Sequence, residues 1–65
     1  MQKFSSKIGT VGQEAVDGFT YSEDQLRELV KRLGDRATFD EESLTAYFHP
    51  FAVITEKMMA DIRQM

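Results

Sequence analysis

The chain has 65 residues, with eight Lys or Arg against eleven Asp or Glu, one His, and neither Cys nor Trp; its net charge is -3 at pH 7. Without cysteine there is no disulfide framework, thiolate metal site or cysteine nucleophile. No stretch approaches the roughly 18 apolar residues that a membrane span requires. An apolar share of 42%, placed in order rather than scattered, is too high for a disordered tail.

These exclusions leave a small cytoplasmic domain, residues 1–65, with no cofactor implied. A domain of about 60 residues buries only about 60% of the surface its unfolded chain exposes. Small scaffolds offset this with disulfides, a metal or a second subunit. Only the last is open to this chain, so a homodimer or docking on a protein partner is expected.

Residues 1–20 carry Phe4, Ile8, Val11 and Ala15 at helical spacing, with Val16 and Phe19 close by. Gly9 and Gly12 would each cost about 1 kcal/mol inside a helix. The alternative is two short extended segments, residues 3–8 and 10–16, joined at Gly9. The reading adopted is an irregular arm followed by a short helix over residues 12–17, ended by Gly18.

Residues 21–34 are the clearest segment. Leu26, Leu29, Val30 and Leu33 recur at i, i+3, i+4 and i+7, making one apolar stripe on a helix. Ser22 is a favoured N-cap and Gln25 completes a capping box, with Tyr21 placed to staple onto Leu26. Gly34 ends the helix. Glu23 with Arg27, and Glu28 with Arg32, are favourable i, i+4 pairs.

The same local pattern recurs eighteen residues on: Thr20-Tyr21-Ser22-Glu23-Asp24-Gln25-Leu26 aligns with Thr38-Phe39-Asp40-Glu41-Glu42-Ser43-Leu44. It predicts a second helix over about 41–48, with Leu44, Tyr47 and Phe48 on its apolar side. Pro50 then opens a third helix over 50–64, or kinks one continuous helix. The apolar stripe Phe51, Ile54, Met58, Ile62 and Met65 runs along it, with Ala52 and Met59 on a neighbouring edge. The expected fold is therefore all-α, a small three-helix bundle with a short N-terminal helical element, on its own or as half of a dimeric bundle.

No catalytic constellation is visible. His49 is the only imidazole and has no second histidine or cysteine to pair with. Residues 35–42 hold the net charge through Asp35, Asp40, Glu41 and Glu42, yet they lack the ligand order and glycine of a calcium loop. A solvated helix start explains them. Arg27, Lys31, Arg32 and Arg36 could contact phosphates, which keeps a dimeric, helix-turn-helix-like DNA-binding regulator as the alternative. Glu23, Asp24 and Glu28 neutralise that face. The preferred reading is a non-enzymatic protein-interaction module, a regulator, inhibitor or accessory subunit. Its partner surface would be aromatic and Met-rich: Tyr47, Phe51, Ala52, Met59, Ile62 and Met65.

Overall fold

A computed structural model describes residues 6–49 and 52–65. The fold is α+β, not all-α. In chain order it runs β1 (Ser6–Thr10), α1 (Glu23–Leu33), a single 3-10 turn (Gly34–Arg36), β2 (Ala37–Asp40), β3 (Thr45–Phe48) and α2 (Glu56–Arg63). The strands form one antiparallel sheet in the order β1-β3-β2.

The helix α1 follows its sequence closely. Ser22 Oγ accepts the N–H of Gln25, and Gln25 Oε1 accepts the N–H of Ser22, so the capping box is complete. Gly34, at φ 67°, returns its N–H to the carbonyls of Val30 and Lys31. Gln25 also ties the layers together, because its Nε2 donates to the Ile62 carbonyl of α2 at 3.0 Å.

The predicted second helix is a hairpin instead. Asp40 caps a turn: its carboxylate accepts the Glu42 N–H at 3.1 Å and the Ser43 hydroxyl at 2.8 Å. Leu44 then sits at φ 52°, a left-handed conformation that no α-helix can continue through. The run Thr45-Ala46-Tyr47-Phe48 is rich in β-branched and aromatic residues and pairs with β2 on one side and β1 on the other. The repeated pattern at residues 20–26 and 38–44 therefore marks one helix start and one hairpin turn.

The third helix is shorter than predicted. Thr55 is its extended N-cap, with its side chain accepting the N–H of Met58, and residues 52–55 carry no regular secondary structure. The question of a helix start or a kink at Pro50 falls on Pro50 and Phe51, which lie outside the described residues. The short helix expected over residues 12–17 is absent. That segment turns at Gly12 (φ 82°) and Gly18 (φ 85°), and Glu14 pairs with Thr20 in an isolated bridge.

One face of the sheet carries the core. Ile8, Tyr21, Leu26, Leu29, Ala46, Met59 and Ile62 are buried together, with Phe39 and Phe48 packed against them. Ile8 reaches this cluster through a β-bulge: Lys7 pairs with Tyr47 but Gly9 with Ala46, so Ile8 is the extra residue of β1. Next to it, a Cβ on Gly9 would stand 2.8 Å from Ala15 Cβ. Gly9→Ala should therefore destabilise the domain by about 1–3 kcal/mol. The double variant with Ala15→Gly should recover much of that loss in a urea-unfolding cycle, and additive losses would show that the contact is not the cause.

Candidate functional site

The sheet has two unlike faces. Ala37, Phe39, Ala46 and Phe48 turn to the helices, while Lys7, Tyr47 and Thr38 form one row across the opposite face. Lys7 and Thr38 are exposed and Tyr47 is half-buried between them. At one end of that row, the Thr38 hydroxyl lies 3.5 Å from His49 Nε2. The next row closes over itself. Thr45 is buried, and its hydroxyl is satisfied there by Thr10 Oγ1 and the Ser43 carbonyl, each at 3.0 Å.

The two edges of the sheet also differ. β1 is covered by the segment that follows it: the Val16 N–H donates to the Ile8 carbonyl at 3.1 Å, and Ala15 presses against Gly9. β2 has no described residue bonded to its outward main chain, yet its Ala37 is buried. Its turn end is braced from the helix layer, where Arg27 makes a two-point contact with Glu41 at 2.7 and 2.9 Å. The same guanidinium bonds Glu23 at 2.8 Å and lies 4.6 Å over the Phe39 ring. Arg27 in turn holds the Glu41 carboxyl below the usual carboxylate range.

A second polar cluster lies behind the helices. Asp17 Oδ2 accepts the Tyr21 hydroxyl and, at 2.9 Å, Arg63 Nη2. Its other oxygen accepts the Phe19 N–H at 3.1 Å. Desolvation pushes the Asp17 pKa up, but these bonds outweigh it and the net shift is downward. Burial, reinforced by Asp17, pushes the Tyr21 phenol up to about 12. The cluster fastens the glycine-punctuated turn to α1 and α2. Its phenol lies in the core.

No protein-family model matches the chain, and neither a curated protein nor a solved structure is similar to it.

The residues expected to bind a partner scatter in the fold. Tyr47 lies on the outer face of the sheet, in a strand rather than on a helix. Met59 and Ile62 of α2 are buried in the core. Met65 is exposed at the chain end and Ala52 is partly exposed; Phe51 lies outside the described residues. Among the cations, Arg27 is engaged by two glutamates and Arg32 by Glu28 at 2.9 Å. Lys31 and Arg36 are exposed on different elements. Among the described residues, no group of three or more His, Asp or Glu could hold a metal, and no helix is long and apolar enough to cross a membrane.

Proposed function

We infer that this domain is a non-enzymatic interaction module whose contact surface is the outer face of its sheet, centred on the Lys7–Tyr47–Thr38 row. The observation that carries the reading is the placement of Tyr47. It sits at the centre of the middle strand, flanked by exposed residues, on the face that no described helix covers. A tyrosine there offers a rigid apolar ring and a hydrogen-bonding tip at small entropic cost, which is why tyrosines concentrate in binding hot spots. The apolar residues of α2 are used inside the domain, so the sheet takes over the role expected of the helices. A cysteine-free composition accords with work in the reducing cytoplasm.

The test is affinity capture from host extract with mass spectrometry, comparing the native chain with Tyr47→Ala and Val53→Ala. Val53 is 69% exposed and lies outside the strands and helices, so it serves as a surface control. A specific partner retained by Val53→Ala and lost by Tyr47→Ala supports the reading. Equal capture by both variants removes the outer face from the function.

A further inference from the structure

We propose that the outer face of the sheet docks an extended acidic segment of a partner protein, whose carboxylates pair with Lys7 and Arg36 while an apolar side chain between them rests against Tyr47. This deepens the interaction-module reading and rests on it, by naming the chemistry of the partner.

The register assembles these residues on one face. Lys7, Tyr47 and Thr38 stand in a single row. The His49 N–H donates to the Arg36 carbonyl at 2.8 Å, which continues the β2–β3 ladder by one pair. Side chains alternate along a strand, so Arg36 shares the face of Thr38, and His49 that of Tyr47. The half-buried Tyr47 ring therefore lies between two cationic positions, Lys7 beside it and Arg36 diagonally beyond Thr38.

Charge sets this face apart from the rest of the domain. Arg27, Arg32, Lys57 and Arg63 each meet at least one carboxylate. Among the described residues, Lys7, Lys31 and Arg36 have no such partner, and Asp35 makes no ion pair with its neighbour Arg36. Two of those three cations are on the outer face of the sheet, and both are exposed. Asp40 shares that face, but it stands at the far end of β2 from Arg36, where the Glu42 N–H and the Ser43 hydroxyl already bond its oxygens. In a chain of net charge -3, the outer face thus presents a cationic surface between Lys7 and Arg36, which complements an anionic partner.

Size and spacing choose among anionic partners. The spacing and rise of the strands make the face about 10 by 13 Å. A stable interface between globular partners takes roughly 800 Å² from each, so a second folded domain gains too little here, whereas one extended segment fits. The same spacings set Lys7 and Arg36 about 12 Å apart, on a line that passes beside Tyr47. In an extended peptide, residues i, i+2 and i+4 face the same way, and i to i+4 spans about 13 Å. Acidic, apolar and acidic residues at those positions match Lys7, Tyr47 and Arg36. Nucleic acid fits less well, because two cations neutralise few phosphates and the net negative charge of the domain repels the rest of the strand.

Fluorescence anisotropy of the full chain with a labelled peptide centred on Glu-Thr-Leu-Thr-Glu tests the proposal. Its uncharged counterpart carries Gln-Thr-Leu-Thr-Gln, and labelled oligothymidine is the nucleic-acid arm. The native chain should bind the acidic peptide, more weakly as salt rises, and prefer it to the counterpart. Lys7→Glu, Arg36→Glu and Tyr47→Ala should each weaken binding about fivefold to tenfold, with native circular dichroism. Lys31→Glu changes the net charge equally but from α1, and should leave the affinity unchanged. No binding up to millimolar peptide overturns the proposal, as does an equal loss from Lys31→Glu. Tighter binding of oligothymidine through Lys7 and Arg36 also overturns it and assigns the face to single-stranded nucleic acid. A partner captured from extract through Tyr47 but indifferent to Lys7→Glu and Arg36→Glu defeats the acidic segment and leaves the interaction-module reading standing. Capture that survives Tyr47→Ala removes the outer face, and this proposal with it.

Discussion

Ile62→Ala should lower the unfolding free energy by about 2–5 kcal/mol, and Ile62→Glu should leave the chain unfolded. Ile62 is fully buried in the cluster that joins α2 to Ile8, Leu26 and Ala46. A domain of this size has about 3–10 kcal/mol to lose, so a single cavity there consumes much of the total. Met59→Glu belongs with Ile62→Glu. Met59 is only 8% exposed, and a carboxylate in its place would be buried without a partner. Loss of folding, rather than selective loss of association, is therefore its expected effect. Met65, 58% exposed near the same chain end, is the control, and Met65→Glu should stay within about 0.5 kcal/mol of native. Urea unfolding followed by circular dichroism decides the matter. A folded Met59→Glu with native cooperativity would place α2's apolar face outside the core.

What could be read from the sequence was decided within one helical turn. Ser22, Gln25, the leucine stripe and Gly34 all act between residues a few positions apart, and α1 begins and ends where they indicate. The hairpin was missed for the opposite reason. Its first half carries the same local signals, with Asp40 where Ser22 stands and acids following. The difference lies at the next position: Gln25 is long enough to return a bond to the cap, whereas Ser43 is short and bonds Asp40's own carboxylate. Leu44, Tyr47 and Phe48 also satisfy helical spacing. In a strand, however, the last two face opposite ways, Phe48 to the core and Tyr47 outward.

Pairing between distant segments was beyond reach of periodicity. β1 and β3 are separated by more than thirty residues, as the Thr10–Thr45 contact shows. Nothing local in residues 6–10 identifies that partner. The apolar breadth of the last segment has a related origin. Residues 52–55 are not helical, so the edges drawn for one long helix mix two kinds of backbone. By spacing alone Tyr47 falls on a helical face, and by charge alone Arg36 suits phosphates. Their residue types were informative, but their place on the sheet required the topology.

The Tyr21 phenol should make the domain's stability fall steeply at high pH. Its pKa rises from 10.0 to about 12, driven first by burial and then by the bond it donates to Asp17. The neutral phenol is therefore the form that the folded state favours. The sign follows from proton counting: the folded state holds the proton more tightly, so the stabilisation is complete below pH 10 and declines as pH rises from 10 through 12. The gap corresponds to about 3 kcal/mol, a large share of the total for so small a domain. Asp17 acts at the other end with the opposite sense. Its pKa is lowered from 3.8, so what it contributes is present above that value and disappears as pH falls through its folded pKa. Tyr21→Phe keeps the ring in the core but removes the titrating group and the donated bond. At neutral pH it should cost about 1–3 kcal/mol, since the bond is to a charged acceptor. Above pH 10 its stability should decline more shallowly than the native protein's, and the two curves should converge near pH 12. Urea midpoints measured across that range, with lysine titration common to both proteins, isolate the phenol. Parallel curves would mean that Tyr21 ionises as readily in the folded chain as in the unfolded one, and that its bond to Asp17 does not fasten the turn.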